Sequence, residues 1–354
     1  MHAVLIGGTG TISTSVTHEL LQQGWQVTLI NRGTDTPELR ELVELGARSL
    51  VCDVNDEPEM RELLTSHREL QHVDCVAEFV AFTHEQVERD IRLFLGKTSQ
   101  YIFVSSASAY AKPARSYIIS EGTTLANPYW QYSQQKIECE RVLMEAYRKL
   151  SFPVTIVRPS HTYDRRSLPL GVHGAQGSWQ VAQRMLEDKP VIVHGDGSSL
   201  WTLTHARDFA VGFVGLMANT HAIGEAVQIM GNETLTWDQI YSCIGAALGV
   251  TPQLVHVSSQ MLAAAGPQYD FTGSLTGDKA VSVVFDTTKL QRLVPQFATR
   301  TRFDQGVREC VDYILNHPEY QQADPEFDRW SDELIAQLDV FVNHMSAFNA
   351  QHHN

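Results

Sequence analysis

The chain has 354 residues, with 27 Lys plus Arg against 41 Asp plus Glu, a net charge of −14 with histidine neutral. Hydrophobic residues make up 43% and charged residues 19%, enough apolar material for a sizeable core and too little charge for a disordered chain. The acidic balance excludes the cationic footprint of nonspecific nucleic-acid binding, and no basic cluster longer than Arg165-Arg166 offers a polybasic membrane patch.

The elements then follow in chain order. Met1-His2-Ala3 runs directly into the apolar strand Ala3–Ile6, with no cationic leader before it, and no run approaches the ~18 apolar residues of a membrane span. Glycines follow, then a helical stretch through Leu21. Gln26–Ile30 is a strand, Pro37–Leu45 a helix, Ser49–Cys52 a short strand and Glu57–His67 a helix. Val73–Phe82 reads as a buried strand, His84–Leu95 as a helix and Tyr101–Val104 as a strand. A long helix from about Pro128 to Leu150 and the strand Val154–Val157 close the series. Strands alternating with helices predict an α/β fold, a Rossmann-type doubly wound parallel sheet covered on both faces.

Beyond Pro159 the pattern loosens. Ser160–Trp179 reads as an exposed loop rich in Gly, Ser, His and Arg. Short strands are predicted near Val191–Val193 and Val227–Met230. Helices are predicted over Arg207–Met217, Trp237–Leu248, Thr287–Leu293, Asp304–Asn316 and Asp324–Ala350. The expected organisation is a dinucleotide-binding domain over residues 1–160 and a smaller mixed α/β substrate-binding region over 161–354. That region is partly interleaved with the sheet and ends in the C-terminal helix. The five cysteines (Cys52, Cys75, Cys139, Cys243, Cys310) are scattered and form no CxxC pair, so a cytoplasmic chain with reduced thiols is expected.

Gly7-Gly8-Thr9-Gly10-Thr11-Ile12-Ser13 lies between the first strand and the first helix. Gly7 suits a tight turn, and Gly10 lets the backbone approach a pyrophosphate at the helix N-terminus. Ser13 stands where a third glycine is usual. The second strand ends Asn31-Arg32 in place of an acidic residue. A guanidinium there suits a 2′-phosphate, so NADP is favoured over NAD, the alternative being stacking of Arg32 on adenine. Asp53, followed by Val54, fits either a bond to the adenine amino group or a cap on the next turn.

Ser106 follows the fifth strand, and Tyr132 and Lys136 are one helical turn apart on the long helix. A lysine ammonium one turn away favours the phenolate of Tyr132, which can then exchange a proton with a substrate hydroxyl while Ser106 holds the same oxygen. His161, Tyr163, Asp164 and Arg165 form a polar cluster past the sixth strand, at the carboxyl end of the sheet. Tyr129 and His84 are further candidates for substrate contact. His194, His205 and His221 lack metal-ligand spacing, so no metal site is expected. Ser106 lacks the GxSxG elbow of a hydrolase.

Together Gly7, Gly10, Asp53, Ser106, Tyr132, Lys136, Arg158-Pro159, Gly195-Asp196-Gly197, His205 and Asp208 resemble the extended short-chain dehydrogenase/reductases of the NAD-dependent epimerase/dehydratase group. The resemblance implies that the backbone at Ser160 and His161 meets the nicotinamide carboxamide and that Phe79-Val80-Ala81-Phe82 lines the cofactor. Sugar 4,6-dehydratases carry an Asp-Glu pair where this chain has Ala107 and Ser108, so dehydration lacks its acid–base pair. Nucleotide-sugar enzymes grip the diphosphate with an arginine where this chain has Trp201, a ring suited to stacking on a sugar face. The expected reaction is therefore NAD(P)-dependent oxidoreduction or epimerisation of a sugar-like substrate without a nucleotide, with Phe82, Ser108, Tyr129 and Trp201 facing it. A nucleotide-sugar epimerase is the alternative. The glycine loop, the Asn-Arg-Gly strand end and the Trp201 segment also resemble the branch that includes chloroplast stem-loop RNA-binding proteins; the net charge and the intact catalytic set count against an RNA role. Family members often pair through two helices per subunit, which makes the helix bearing Tyr132 a candidate for a homodimer.

Overall fold

The computed structural model describes residues 1–352, with side chains described through residue 348. The chain forms two compact units. The first comprises Met1–Asp164, Thr202–Thr234 and Val283–Arg302; the second comprises Arg165–Trp201, Leu235–Ser282 and Phe303–Asn354. Both are discontinuous in sequence.

The first unit is built on a seven-stranded sheet. Its strands include β1 (His2–Ile6), β2 (Gln26–Asn31), β3 (Arg48–Val51), β4 (Cys75–Glu78) and β5 (Tyr101–Val104). The strands Val154–Pro159 and Ala226–Ile229 complete it. The order runs Ala226–Ile229, Val154–Pro159, β5, β4, β1, β2, β3, and every pair is parallel. The order reverses between β1 and β4, where a doubly wound sheet opens its ligand crevice.

Alternation along β1 feeds both faces. Ala3 and Leu5 pack with helix α1 (Thr11–Gln22) and helix Ala206–Leu216 through Val16, Leu20, Phe209 and Phe213. Val4 and Ile6 pack on the other face with Met60 and Leu64 of α3 (Glu57–Ser66), and with Val87 and Ile91 of α4 (His84–Phe94). Cys139 and Leu143 of α5 (Gln131–Leu150) complete that face. The helix starts are coded locally. Thr36 accepts from the Leu39 amide before α2 (Pro37–Glu44), Asp56 accepts from the Glu59 amide before α3, and Thr83 forms a reciprocal capping box with Gln86 before α4.

In the second unit, strands Val191–His194 and Leu254–Val257 pair in parallel. Helix Trp237–Leu248 packs on helix Phe303–Asn316, and helix Trp179–Leu186 on the 28-residue C-terminal helix Pro325–His352. Arg184, 1% exposed, ties these last two together through Asp328 at 2.6 Å and Asp332 at 2.8 Å. A π-helical segment spans Thr272–Lys279. All five cysteines are free, and only Cys243 is partly exposed. Among the described residues no helix is long and apolar enough to cross a membrane.

Candidate functional site

At the carboxyl ends of β1 and β4 the first unit opens into a groove of about 600 Å³. One wall is the glycine loop. The amide of Gly7 donates to the carbonyl of Ile30 at 3.1 Å, and its φ of +82° is a left-handed conformation. A Cβ there would run into the Val80 side chain, so both conformation and space call for glycine. Ser13 replaces the third glycine without disturbing the turn. Its hydroxyl donates to the Gly7 carbonyl at 2.7 Å and accepts from the Gly10 amide at 2.8 Å, closing the loop onto α1.

The groove brings together Gly7, Thr9, Gly10, Thr11, Ile12, Asn31, Arg32, Asp53, Val54, Phe79, Val80 and Phe82. Asn31 spends its side chain on the turn, accepting from the Gly33 amide at 2.9 Å and donating to the Ser49 hydroxyl at 3.2 Å; Arg32 is exposed. Asp53 caps its own turn through the Asn55 amide at 2.9 Å while still lining the groove. The sequence reading passed over Asn55 and Gln86, which also line it. Gln86 donates to Asn55 at 3.1 Å and accepts from the amides of Phe82 and Thr83. The capping box that exposes Gln86 was the signal for it.

Ala81 does not line the groove. It is 1% exposed and offers its carbonyl to Lys136 instead. Ser160 and His161 are not among the lining residues either. Ser160 donates to the Thr202 carbonyl at 3.4 Å, and His161 begins a short strand, His161–Tyr163, that pairs with Leu203–His205.

Lys136 is 1% exposed, with its ammonium on two backbone carbonyls, Ala81 at 2.7 Å and Val104 at 2.8 Å. It lies 4.7 Å from the ring centroids of Phe82 and Phe103 and 5.8 Å from that of Tyr132. Burial pushes its pKa down to about 8, against the pull of nearby acidic groups including Glu78 and Glu140. Tyr132 is half-buried, its ring 5.0 Å from Trp130 and 6.3 Å from Phe82.

Ser106 sits in a line of hydroxyls. Ser133 donates to Ser108 at 2.7 Å, and the Ser108 and Ser106 hydroxyls are 2.8 Å apart. The Ser108 amide also donates to Ser106, at 3.1 Å, and Asn127 donates to the Ser108 carbonyl at 2.7 Å. Ser133, fully buried beside Tyr132, was not singled out from sequence; its place one residue after the tyrosine was the only clue.

Glu140, one turn beyond Lys136, holds Arg158 in a two-point ion pair at 2.9 and 2.6 Å and accepts from Ser105 at 2.5 Å. The helix face that presents Tyr132 and Lys136 is thus tied to the strand end that presents Ser106. Beneath β4, Glu78 is fully buried and accepts from the Val80 amide. Burial and the neighbouring Asp90 hold its carboxyl well above the usual range.

The remaining candidates are dispersed. Tyr129 is exposed, and its amide donates to Asn127. His84 lies at the exposed start of α4, 3.2 Å from Glu85. Tyr163 is 2% exposed and packs edge-on against His205 at 5.1 Å, so its ring is core rather than pocket wall. In the second unit the Arg165 guanidinium lies over the Tyr313 ring at 4.4 Å. Trp201, expected to offer its face to a sugar, is 2% exposed with its ring 5.7 Å from Trp237; its strand turns the indole into the core.

The model of the NAD dependent epimerase/dehydratase family matches residues 3–229. The chain is 25% identical over 260 residues to the chloroplast stem-loop binding protein of 41 kDa b of Arabidopsis thaliana, covering 72% of this chain and 65% of that one. It is 26% identical over 145 residues to an uncharacterized UDP-glucose epimerase of Bacillus subtilis (strain 168), covering 41% of this chain and 43% of that one. The matches thus span less than two thirds of either relative. In fold it is similar to UDP-glucuronic acid 4-epimerase from Bacillus cereus, solved with NAD, with a TM-score of 0.71 and 19% identity over 91% of this chain and 99% of that one.

Proposed function

Because the chain belongs to the NAD-dependent epimerase/dehydratase family, enzymes of the short-chain dehydrogenase/reductase type, we propose that it oxidises or epimerises a secondary alcohol of a sugar-like substrate that carries no nucleotide. Lys136 carries the reading: a buried ammonium one helical turn from Tyr132, held on the carbonyls of Ala81 and Val104. Gly7, Gly10 and the α1 N-terminus would hold the pyrophosphate of a dinucleotide, and Asp53 and Val54 its adenine end. Arg32, in place of an acidic residue, supports NADP over NAD. When bound, the nicotinamide supplies the hydride acceptor and donor.

The residues of the chain do the proton chemistry. The Lys136 charge favours the Tyr132 phenolate, which takes the proton of the substrate hydroxyl as the carbon-bound hydrogen departs as hydride. Ser106, accepting from the Ser108 amide, can turn its own proton toward the same oxygen. A second reading, an epimerase of nucleotide sugars, is supported by the relatives' names. Trp201 at the position of the diphosphate arginine favours the first, while the replacement of the dehydratase acid–base pair by Ala107 and Ser108 counts against dehydration under either reading.

The test begins by denaturing the purified protein and identifying any released dinucleotide by mass, then titrating NAD and NADP into the emptied protein. Free and UDP-linked sugars are next screened for turnover. Tight binding with NADP preferred, and a loss of about 10²–10⁴ in turnover for Tyr132→Phe, are expected. Turnover confined to UDP-sugars would shift the assignment to the second reading. Binding of neither dinucleotide, or full turnover by Tyr132→Phe, would refute the mechanism.

A further inference from the structure

A line of hydrogen bonds runs from the core of the first unit to the rim of the groove. It begins at Tyr101 of β5, fully buried, whose hydroxyl donates to Asp90 Oδ2 at 2.7 Å. The other oxygen of Asp90 accepts from Arg89, from Nε at 2.9 Å and from Nη2 at 2.8 Å. Arg89 is 5% exposed, and its remaining terminal nitrogen, Nη1, donates to Asn55 Oδ1 at 2.8 Å. Gln86 Nε2 donates to the same oxygen at 3.1 Å. The amide nitrogen of the Asn55 side chain donates in turn to Asp53 Oδ1 at 3.1 Å, where the Asn55 backbone amide also donates at 2.9 Å. Asp53, Asn55 and Gln86 all line the groove.

Each link fixes the next. A guanidinium has N–H donors and no acceptor, so Arg89 admits only the oxygen of the Asn55 side chain. With that oxygen held by Arg89 and Gln86, the amide nitrogen faces Asp53. Turning the amide over would set its NH2 group against the guanidinium and its oxygen against a carboxylate. Asp53 Oδ1 is thereby occupied twice, and among the described residues no donor is bonded to Oδ2. Oδ2 is the oxygen left for a ligand.

We propose that Asn55 and Arg89 are positioning residues that give the groove its choice of base. They hold Asp53 so that Oδ2 takes an exocyclic amino group, as adenine carries at C6, and rejects a carbonyl oxygen at the same place. The proposal rests on the dinucleotide reading of the groove. A carboxylate ordered before the ligand arrives discriminates more sharply than one that must be ordered by it. The other role open to Asp53, capping its own turn, needs only the Asn55 backbone amide. It calls for neither the Asn55 side chain nor a buried arginine on α4 that reaches a turn 34 residues away.

Calorimetric titration of the emptied full chain tests the proposal. NADP and NAD are each compared with the deamino form, in which hypoxanthine replaces adenine and a carbonyl oxygen replaces the amino group. Wild type is expected to bind the adenine forms at least about tenfold more tightly, the scale of one hydrogen bond to a charged group. Asn55→Ala is expected to bring that ratio below about threefold by weakening the adenine forms. Its thermal midpoint is expected to stay unchanged, because Asn55 is exposed. Arg89→Lys keeps a cation for Asp90 without the planar fork that also reaches Asn55, and is expected to lower the ratio too. Asn55→Ala/Arg89→Lys is expected to fall no further than Asn55→Ala, since both act through one carboxylate. Should Arg89→Lys lose its fold, Asn55→Ala decides. Equal affinity of wild type for adenine and hypoxanthine forms overturns the proposal and leaves the dinucleotide reading standing. So does a wild-type ratio in Asn55→Ala, or a loss shared equally by both forms, which would make the side chain groove wall alone. Binding of no dinucleotide overturns the reading itself, and the proposal with it.

Discussion

Lys136 sits where an ammonium is costly to keep, and the cost depends on pH. The folded protein holds its pKa near 8, while the unfolded chain restores it to about 10.4. Below pH 8 both states carry the proton and the full penalty is present. Between the two values the unfolded state binds more protons, so stability rises with pH. Wild type is therefore expected to gain up to about 3 kcal/mol relative to Lys136→Met from pH 8 to pH 10.4, read by urea unfolding at each pH. Ser106, Tyr132 and Lys136 can be singled out as candidates in the sequence because a spacing of four and a strand end are local signals. Ser133 was not: its importance lies in a 2.7 Å contact with Ser108, a residue 25 positions away, and no local pattern encodes that. Trp201 illustrates the converse. Its identity was informative about what cannot be gripped, but the direction of its side chain depends on Trp237, which only the fold brings near.

Elements with strong periodicity were readable nearly to their ends. The strand predicted at Gln26–Ile30 spans Gln26–Asn31, and the helix predicted at His84–Leu95 spans His84–Phe94. The run Val73–Phe82 was not, because Phe79, Val80 and Ala81 are as apolar as the strand they leave. Only Cys75–Glu78 is strand, and Phe79, Val80 and Phe82 beyond it line the groove. The loop expected over Ser160–Trp179 conceals the strand His161–Tyr163, too short for a periodic signal. Between elements, the buried Glu140–Arg158 pair fastens α5 to the strand Val154–Pro159. Removing one partner strands the other charge in the core. Glu140→Ala is therefore expected to lose about 3–5 kcal/mol of unfolding free energy in a urea titration. Glu140→Ala/Arg158→Met, which removes both charges, is expected to recover part of that loss.

At the scale of the molecule, His194 is a contributor to acid sensitivity in the second unit. His194 is 1% exposed against Trp237, its Nε2 3.1 Å from the Lys279 carbonyl, and burial lowers its pKa from 6.5 to about 4. Above pH 6.5 both states are neutral and nothing is lost. As pH falls toward 4, the unfolded chain takes up the proton first and stability declines by about 3 kcal/mol from this residue alone. The difference between wild type and His194→Gln should shrink or reverse over that window, measured by chemical denaturation at matched pH.

The interleaving of the two units also governs how the protein must be made. Residues 1–160 include most of the sheet, but strand Val154–Pro159 stays an open edge until Ala226–Ile229 has been synthesised, and the first unit closes only with Val283–Arg302. During translation the nascent chain therefore carries the Val154–Pro159 edge unsealed until residue 226 is made, the kind of edge that recruits other strands. Cutting the gene at the apparent end of the nucleotide-binding half would yield an aggregating fragment rather than a minimal domain. A workable dissection must keep all three segments of the first unit and replace the excursions between them with short linkers.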